Sequence, residues 1–397
     1  MYQDLNTWFP HNGLIKAKMS QEIIRKTVRS IYYGVGLKGI QQIIALAFGI
    51  WLARILSPVE FGVITVVNLV VHYANNFTNF GLNNALIQME EVDDTHMNTV
   101  FTIDLLTSLV LAAVTFFASD AIAMFFKNPE VGPVLRWMCL YYPITTFYHM
   151  PAVLLRRDIN FRFLSIVELA EAILTSLVAI GLAMAGFSYW SILSASLSVP
   201  VLVSIVYMIK ARWIPRLRIA KNMHEIYRFG MWSFLRSQVQ LLVSKTDYFV
   251  IGRYLDTAQL GIYEKSFELT DRAMSGFTMP FNSIFFSTFS RLNKDIAQVR
   301  AVFLNAINLV ALVSYPVLFG IIGVAPHFVF SCLGEKWQGA VLLLQILATA
   351  CVFRVLLGMM ASVIVAMGQY KIHTIVNAIT AAVFVLGCFV AIPYGSV

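Results

Sequence analysis

The stretch Arg54-Ile-Leu-Ser-Pro-Val-Glu-Phe-Gly62 recurs 199 positions later as Arg253-Tyr-Leu-Asp-Thr-Ala-Gln-Leu-Gly261, with the arginine, the leucine and the closing glycine in register. The same offset relates three further polar pairs: Gln41 with Gln240, Asn79 with Thr278, and Asn83 with Asn282. Six long apolar stretches separate the two copies, and an even number of membrane crossings gives both copies the same orientation. The repeat therefore predicts two parallel halves related by an axis along the membrane normal, as in two-lobed carriers.

The composition indicates a membrane protein. Of the 397 residues, 58% are hydrophobic and 13% are charged, and the mean hydropathy is +0.73, whereas soluble domains carry about 25% charged residues. A bilayer span needs about 20 mostly apolar residues. That length predicts eleven spans, at residues 33–55, 61–87, 100–118, 134–155, 164–185, 189–209, 229–251, 260–286, 302–324, 340–366 and 374–393. The expected fold class is all-α, a polytopic integral membrane protein with two parallel-repeat helical lobes around a central cavity.

The distribution of charge predicts the orientation and the domain boundaries. Most Lys and Arg residues lie in the N-terminal segment and in the loops on its side of the membrane, which is the positive-inside pattern. We therefore expect a cytoplasmic N-terminal segment with an amphipathic helix (1–32), an N-lobe of six spans (33–209), a basic cytoplasmic linker (210–228) and a C-lobe of five spans (229–397). Because the C-lobe has one span fewer than the N-lobe, we expect it to be incomplete.

Two classes of function are disfavoured by the sequence. The formal net charge of +8 is compatible with nucleic acid binding, but the cations follow the membrane topology instead. The predicted outer loops are short, the histidines are scattered singly, and the sequence has no Ser/His/Asp set, phosphate loop or metal-ligand cluster. We therefore predict no nucleic acid partner, no enzymatic activity, no cofactor and no metal.

Polar residues follow one face of the first two helices of each predicted lobe. A charge at membrane depth costs about 2.5–3.5 kcal/mol, so such residues must face a wet cavity or a partner. Steps of three and four residues keep them on a common helix face. We predict that the four helices surround a cleft lined by Lys38, Gln41, His72, Asn75, Asn79, Asn83, Arg236, Gln240, Asp247, Glu264, Lys265, Glu268, Asp271 and Arg272.

The chemistry of this predicted lining suits a ligand rich in hydroxyl groups, because amides and carboxylates can donate to or accept from a sugar. Its cations would attract an anion such as a pyrophosphate. The alternative is that these groups only bond one helix to another, as Glu268 and Arg272 could at a spacing of four. Lys245 and Arg354 lie off the polar faces, so pairing with neighbouring helices is expected for both.

Three further carboxylates lie inside predicted spans, and we regard them as candidates for proton or sodium coupling: Asp104, Glu168 and Glu171. Burial favours the protonated form of a carboxyl group, which allows proton exchange near neutral pH. The alternative is again a structural role in helix pairing.

Four stretches carry a resemblance to a known family: Ala53-Arg-Ile-Leu-Ser-Pro-Val-Glu-Phe-Gly62, Phe80-Gly-Leu-Asn-Asn-Ala-Leu-Ile-Gln88, Leu154-Leu-Arg-Arg-Asp-Ile-Asn-Phe-Arg162 and Ile251-Gly-Arg-Tyr-Leu255. They resemble the bacterial polysaccharide exporters of the multidrug/oligosaccharidyl-lipid/polysaccharide superfamily, in particular the lipopolysaccharide and colanic-acid type flippases. The resemblance implies two lobes of six helices around a cavity lined by helices one, two, seven and eight. It also implies cationic cavity residues, by position Lys38, Arg236, Lys265 or Arg272.

This resemblance also implies a function and a location. Members move undecaprenyl-pyrophosphate-linked oligosaccharide across the bacterial inner membrane, and the implied partners are that substrate, membrane lipids and the polysaccharide synthesis machinery. Relatives begin near Met19, so we expect residues 1–18 to be an extension. Relatives often carry further helices beyond the eleventh, and we expect this C-lobe to lack them.

Other functions stay open at this stage. A cation-coupled multidrug or metabolite exporter of the same fold would use an acidic pocket, for which Asp247, Glu264, Glu268 and Asp271 are available. A membrane glycan polymerase or glycosyltransferase would need a larger outer loop or an acidic motif in an early one. A scaffold protein in a synthase complex is a further alternative.

Overall fold

A computed structural model describes residues 36–78, 82–89, 92–158, 160–219, 244–292 and 295–391, together with positions 231, 234, 237 and 238. The predicted amphipathic helix in residues 1–32 lies outside these ranges. The helices of the described residues are α1 (Gly36–Ile55), α2 (Pro58–Asn75), α3 (Leu82–Gln88), α4 (Asp94–Phe125), α5 (Val131–Met138), α6 (Tyr141–Arg157), α7 (Phe161–Met184), α8 (Trp190–Ala211), α9 (244–254), α10 (Thr257–Leu292), α11 (Ile296–Phe328), α12 (Ala340–Ala366) and α13 (Tyr370–Ala391). A π-helical turn, Val329–Leu333, and a 3₁₀ turn, Glu335–Trp337, connect α11 to α12.

Seven helical segments of the described residues are long and apolar enough to cross a bilayer: α1, α4, α7, α8, α11 with its π-helical turn, α12, and Lys371–Cys388 of α13. The other four predicted spans correspond to α2 with α3, α5 with α6, α9, and α10. Within the described residues, these helices are too short or too polar to qualify by apolarity alone. Three of them, α2, α9 and α10, carry the polar cavity described below.

Two predicted spans are each divided into two helices. The helix predicted for residues 61–87 ends at Asn75, because the Asn76 side chain donates to the His72 carbonyl (3.1 Å) and the Thr78 hydroxyl donates to the Asn75 carbonyl (2.7 Å). Local bonds of this kind compete with helix propagation. The prediction that Asn83 continues the polar face of a single helix is therefore wrong, since Asn83 lies on α3.

The span predicted for residues 134–155 is interrupted between Met138, where α5 ends, and Tyr141, where α6 begins. Pro143 explains the break, because it has no N–H group to donate to the carbonyl four residues earlier, at Cys139. The apolar pattern alone did not reveal this interruption.

The two copies of the sequence repeat begin their second helices in the same way. At α2, the Ser57 hydroxyl accepts from the backbone N–H of Glu60 (3.3 Å), and the Glu60 carboxylate accepts from the N–H of Ser57 (2.6 Å). At α10, the carboxylate of Asp256 accepts from the N–H of Gln259 (2.7 Å). Ser57 and Asp256 differ by the repeat offset, so both helices start at equivalent side-chain caps.

The first turns of α2 and α10 cross at the two repeated glycines. A Cβ atom on Gly62 would lie 1.8 Å from the carbonyl oxygen of Thr257, and one on Gly261 would lie 2.0 Å from the carbonyl oxygen of Pro58. Pro58 and Thr257 are themselves repeat equivalents. The contact is therefore reciprocal, as an axis relating two parallel halves requires, and the repeat predicted from sequence is a structural one.

The repeated arginines also make reciprocal contacts between the halves. Arg54 donates to the carbonyl of Ser331, at the end of the α11 segment (3.0 Å), and Arg253 donates to the carbonyl of Phe125, at the end of α4 (3.0 Å). Cations are favourable at helix C-termini, where carbonyl groups lack partners. We refer to the end of the molecule that holds Arg54, Gly62, Arg253 and Gly261 as the arginine end.

Buried apolar packing reinforces the arginine end. Trp337 is fully buried, donates from Nε1 to the Ala53 carbonyl (2.7 Å) and meets the Phe61 ring edge-to-face at 5.3 Å. Lys336 donates to the carbonyls of Arg54 (2.9 Å) and Ile55 (3.1 Å), which caps the end of α1. The two halves are thus held together at this end by one continuous hydrophobic core.

Candidate substrate cavity

A cavity of about 270 Å³ lies between the two halves, one to three turns along α2 from the glycine crossing. Residues of α2, α9 and α10 line it: Thr65, Asn68, Leu69, His72, Tyr73, Lys245, Tyr248 and Glu264. Three of the four helices predicted to surround a cleft therefore share a cavity. Its wall combines a cation, a carboxylate, an amide, an imidazole and hydroxyl groups.

Lys245, Tyr248 and Glu264 form a connected group in this wall. The ammonium of Lys245 lies 4.0 Å from the centre of the Tyr248 ring, which is a cation–π contact. The Tyr248 hydroxyl donates to the carboxylate of Glu264 on the next helix. Because these contacts fix the positions of both charged groups, the cavity presents a donor cation and an acceptor carboxylate at defined places.

A buried charged cluster lies on α10, next to the cavity. Lys265 is only 1% exposed and donates to one oxygen of Glu268 (2.9 Å), while Arg272 pairs with the other oxygen (2.8 Å). Glu268 and Arg272 therefore pair with each other, which was the alternative to lining the cleft, and neither they nor Lys265 are among the residues that line the cavity. Two cations share one carboxylate, so the cluster carries a net positive charge and favours a nearby anion. Gly49 of α1 packs closely over it, since a Cβ there would lie 3.0 Å from the Lys265 ammonium.

Other predicted residues of the C-terminal half connect helices. Asp247 is buried and accepts from the Tyr263 hydroxyl (2.6 Å), which ties α9 to α10. Asp271 pairs with Arg354 (2.8 Å), which ties α10 to α12 and confirms that Arg354 pairs with a neighbouring helix. Neither Asp247 nor Asp271 lines the cavity.

Of the predicted residues of the N-terminal half, one described residue lines the cavity and others do not. His72 lines the cavity, whereas Asn75 accepts from the Thr145 hydroxyl of α6 (3.1 Å). Lys38 and Gln41 lie near the start of α1, far from the arginine end, and do not line the cavity. Three predicted residues, Asn79, Arg236 and Gln240, lie outside the described side chains.

Six residues of the wall are missing from the predicted lining: Thr65, Asn68, Leu69, Tyr73, Lys245 and Tyr248. Lys245 was expected to pair with a helix neighbour because it lies off the polar face of its predicted span. The available signal was Tyr248, three residues later, since an aromatic ring at that spacing can hold the ammonium against its own helix. Thr65 gave no signal, because its hydroxyl bonds the Phe61 carbonyl of its own helix (2.8 Å).

An apolar groove of about 370 Å³ lies between α1, α10, α11 and α12. Its lining is Leu46, Leu269, Ala273, Val317, Gly320, Ile321, Val324, Ala325, Phe328 and Leu344. Leu269 and Ala273 follow directly after Glu268 and Arg272 in the chain. The groove and the charged cluster therefore occupy neighbouring faces of α10.

The three candidate coupling carboxylates lie in the N-terminal half. Asp104 is 2% exposed on α4 and accepts from the Asn83 amide of α3 (3.4 Å). Glu168 and Glu171 lie half-buried on α7, near the ring pair Tyr148 and Tyr207, whose centroids are 5.2 Å apart. Asp104 does not pair with Arg354, which is bound to Asp271 instead.

The fold and the cavity between two parallel repeats define a helical membrane transporter fold. Similar solved structures include the lipid II flippase MurJ in an inward closed conformation, with a TM-score of 0.71, 14% identity, and coverage of 92% of this chain and 82% of that chain. An inward-facing multidrug resistance MATE family transporter gives a TM-score of 0.62, 16% identity, and coverage of 84% and 83%.

Sequence comparison identifies the family. Residues 51–342 match the family described as "Polysaccharide biosynthesis protein", and the chain belongs to this family. Teichuronic acid biosynthesis protein TuaB of Bacillus subtilis (strain 168) is 26% identical over 331 residues, which cover 82% of this chain and 68% of that protein.

Two further relatives are named for polysaccharide biosynthesis. Lipopolysaccharide biosynthesis protein WzxC of Escherichia coli (strain K12) is 22% identical over 343 residues, covering 84% of this chain and 68% of that protein. Succinoglycan biosynthesis transport protein ExoT of Rhizobium meliloti (strain 1021) is 27% identical over 302 residues, covering 75% and 60%.

Proposed function

We propose that this protein moves a lipid-linked oligosaccharide, carried on an undecaprenyl pyrophosphate, across the bacterial inner membrane for surface polysaccharide synthesis. The observation that carries the proposal is the cavity between the two halves, whose wall holds Lys245 and Glu264 beside amide, imidazole and hydroxyl groups. A glycan offers many hydroxyls that need both donors and acceptors, and this wall supplies both. The biosynthesis and transport roles for which TuaB, WzxC and ExoT are named support the same substrate class.

The neighbouring features fit the two other parts of such a substrate. The Lys265–Glu268–Arg272 cluster carries the net positive charge that a pyrophosphate requires. The apolar groove on the adjacent face of α10 suits the isoprenoid chain, which would lose hydrophobic stabilisation in a polar cavity. In this proposal the glycan enters the cavity, the pyrophosphate lies at the cluster, and the chain stays in the groove at the membrane side.

Orientation and gating follow from the arginine end. The positive-inside pattern predicts a cytoplasmic N-terminus, and the arginine end then lies at the outer face. Glycine crossing and arginine contacts close the cavity on that side, so the conformation described is closed to the outside. Rocking of the two halves would separate the crossing and release the glycan outward.

The proposal gives the contacts of the cavity wall a role in binding and assigns no catalytic step to the chain. Tyr248 holds Lys245 against its ring and donates to Glu264, so it orders a cation and a carboxylate for ligand contact. We therefore propose a transporter that cooperates with the polysaccharide synthesis machinery, which supplies its substrate and consumes its product.

Substitution of the cavity cation tests the proposal in a host strain that lacks its own copy. A hydrogen bond to a charged group contributes about 1.5–3 kcal/mol, so Lys245→Ala is expected to lower substrate affinity about 10- to 100-fold. Surface polysaccharide should fall while the lipid-linked intermediate accumulates in the inner leaflet. Lys245→Arg should retain part of the activity, and Lys371→Ala, at an exposed position of α13, is the matched control.

The outcome that contradicts this function is normal export by Lys245→Ala, together with Lys265→Ala and Arg272→Ala, at equal protein levels. A cation-coupled drug exporter on the same fold would instead use Glu264. Thermal stability of the purified protein separates the two functions, because a lipid-linked glycan should raise the melting temperature and a cationic dye should not.

A further inference from the structure

Away from the cavity, a buried carboxylate and the amide beside it each leave one oxygen atom without a hydrogen-bond partner among the described residues. Asp104 of α4 is 2% exposed, and its Oδ2 accepts from the Asn83 Nδ2 of α3 over a long 3.4 Å. The Oδ1 atoms of both residues are buried, and neither has a hydrogen-bond partner among the described residues. Two buried acceptors therefore lack a donor in the same place, and buried polar atoms of this kind are rare in proteins.

One proton satisfies both acceptors. A protonated Asp104 carries a hydroxyl at Oδ1, and that hydroxyl can donate to the amide oxygen of Asn83, while the Asn83 amide continues to donate to Asp104 Oδ2. A carboxylic acid and a primary amide then form a complementary pair with two hydrogen bonds and no net charge. An ionised Asp104 would instead leave a charge buried in an apolar span with a single long hydrogen bond.

We propose that Asp104 and Asn83 form a proton-binding site in the N-terminal half, whose occupation is coupled to the movement of that half. A hard metal cation fits the same geometry less well, because hard cations take about six or more oxygen ligands and two unpartnered oxygens are present here. The proton is therefore the ligand that the arrangement accommodates.

Other charged groups around α4 are already engaged or lie at its ends. On α5, Arg136 bonds to Ser119 (3.0 Å) and Asp120, and on α6, Arg157 bonds to the carbonyls of Leu86 and Met89. The elements packed against α4, and α4 itself, carry further titratable or charged groups. They are Glu60, His72 and Tyr73 of α2, Tyr141, Tyr142, Tyr148, His149 and Arg156 of α6, Arg212, Arg216 and Arg218 of the segment after α8, and Asp94 and His96 at the start of α4. None of them hydrogen-bonds to Asp104 in the part of the chain that the structure describes.

The location links the site to moving parts of the proposed transporter. In the chain, α3 follows the polar helix α2, which lines the cavity. The helix α4 binds the segment that leads toward the second half: Asn98 accepts from the N–H of Arg216 (2.9 Å), and Thr102 accepts from the N–H of Arg218 (3.0 Å). A change at Asp104 and Asn83 thus acts on helices that contact both the cavity helix and the connection between the halves. Only this coupling depends on the proposed function, whereas proton binding itself does not.

Infrared difference spectroscopy of the purified protein tests the binding without any substrate. We expect a protonated-carboxyl carbonyl band at neutral pH that is lost in Asp104→Asn, which keeps the size of the side chain, and is retained in Asp120→Asn, an exposed carboxylate on the same helix. Asn83→Leu should move this band to a higher frequency, because the acid loses its hydrogen-bonding partner. A spectrum that is the same in all three variants and the wild type would refute the site.

A second measurement separates protons from sodium and coupling from binding. If the melting temperature rises with Na⁺ at constant pH and this rise is lost in Asp104→Asn, the site binds sodium and the proposal is wrong. In proteoliposomes, an imposed pH gradient should accelerate transport by the wild type and by Asp120→Asn but not by Asp104→Asn; acceleration of all three would refute the coupling. Absence of any transport by the wild type would refute the proposed function and would leave the infrared result to decide the proton site.

Discussion

Alanine at Gly62 is expected to weaken the closure at the arginine end. The new Cβ atom would lie 1.8 Å from the Thr257 carbonyl oxygen and 2.6 Å from its methyl group, and ordinary contacts begin near 3.4 Å. Backbone atoms cannot rotate away, so α2 and α10 must separate by about 1.5 Å. Overpacking of this kind costs about 1–3 kcal/mol, which corresponds to a shift of about 5- to 150-fold toward the separated arrangement.

Cysteine labelling measures this shift. A cysteine at Asn68 in the cavity wall, in a chain whose four native cysteines are replaced, should react with a membrane-impermeant maleimide faster when Gly62 is alanine. Gly181→Ala on α7 is the control, because a Cβ there meets nothing within 4 Å. Labelling of Gly62→Ala at the wild-type rate would show that the crossing does not close the cavity.

The reciprocal contact also predicts the results for Gly261→Ala and for the double variant. Gly261→Ala should produce a similar increase, since its Cβ would lie 2.0 Å from the Pro58 carbonyl oxygen. Once one alanine has separated the helices, the second meets less resistance, so the double variant should show less than the sum of the two effects. Full additivity would mean that the two glycines act at independent contacts.

Two other predictions concern the pH response of the closure and the apolar groove. Burial raises the pKa of Glu60, but hydrogen bonds from Ser188 and Ser57 and the charge of Lys336 lower it by more, so its pKa lies below the ordinary 4.5. This contribution to the closure is complete above pH 4.5 and is lost as the pH falls through the lowered value. Labelling of the cavity cysteine should rise in that range relative to labelling of a solvent-exposed reference cysteine, which corrects for the loss of reactive thiolate at low pH. Glu60→Gln should remove the response. Ala273→Trp should fill the groove and displace part of the lipid chain of the substrate. If two methylene groups of that chain lose their contacts, binding weakens by about 1.6 kcal/mol, or about tenfold in affinity for a lipid-linked substrate. Leu312→Trp, on the exposed side of α11, should bind the same substrate normally.

The repeat and the apolar lengths were sufficient to predict the fold class, because both follow from the sequence without knowledge of which residues meet in the fold. Breaks inside the predicted spans were not predicted, since an apolar average hides a single proline or asparagine. Pro143 removes one hydrogen bond and divides a span, and Asn76 and Thr78 end α2 through their own side chains. A single residue of this kind changes the mean hydropathy of a span only slightly, so the average does not reveal the break.

The cavity was harder to predict than the helices that form it. Helical spacing selected His72 of α2 and Glu264 of α10, which line the cavity, but it could not tell a cavity group from a group that binds another helix. Asp271 and Asn75 have the expected spacing and are nevertheless occupied by Arg354 and Thr145. The distinction depends on which residues lie opposite, and those come from distant parts of the chain.

The duplicated motif explains the reciprocal contacts that close the arginine end. Each half contributes the same arginine and the same glycine, and each contacts the other half rather than its own, so the contacts form or break together. Because the arginines bind carbonyls at helix ends, their contacts depend on the angle between the halves and not on the cavity contents. A ligand in the cavity can therefore open this end only by separating α2 from α10, and Glu264 lies one turn from Gly261 on the helix that must move. The position of Glu264, next to both the ligand wall and the crossing, is what would transmit occupation of the cavity to the gate.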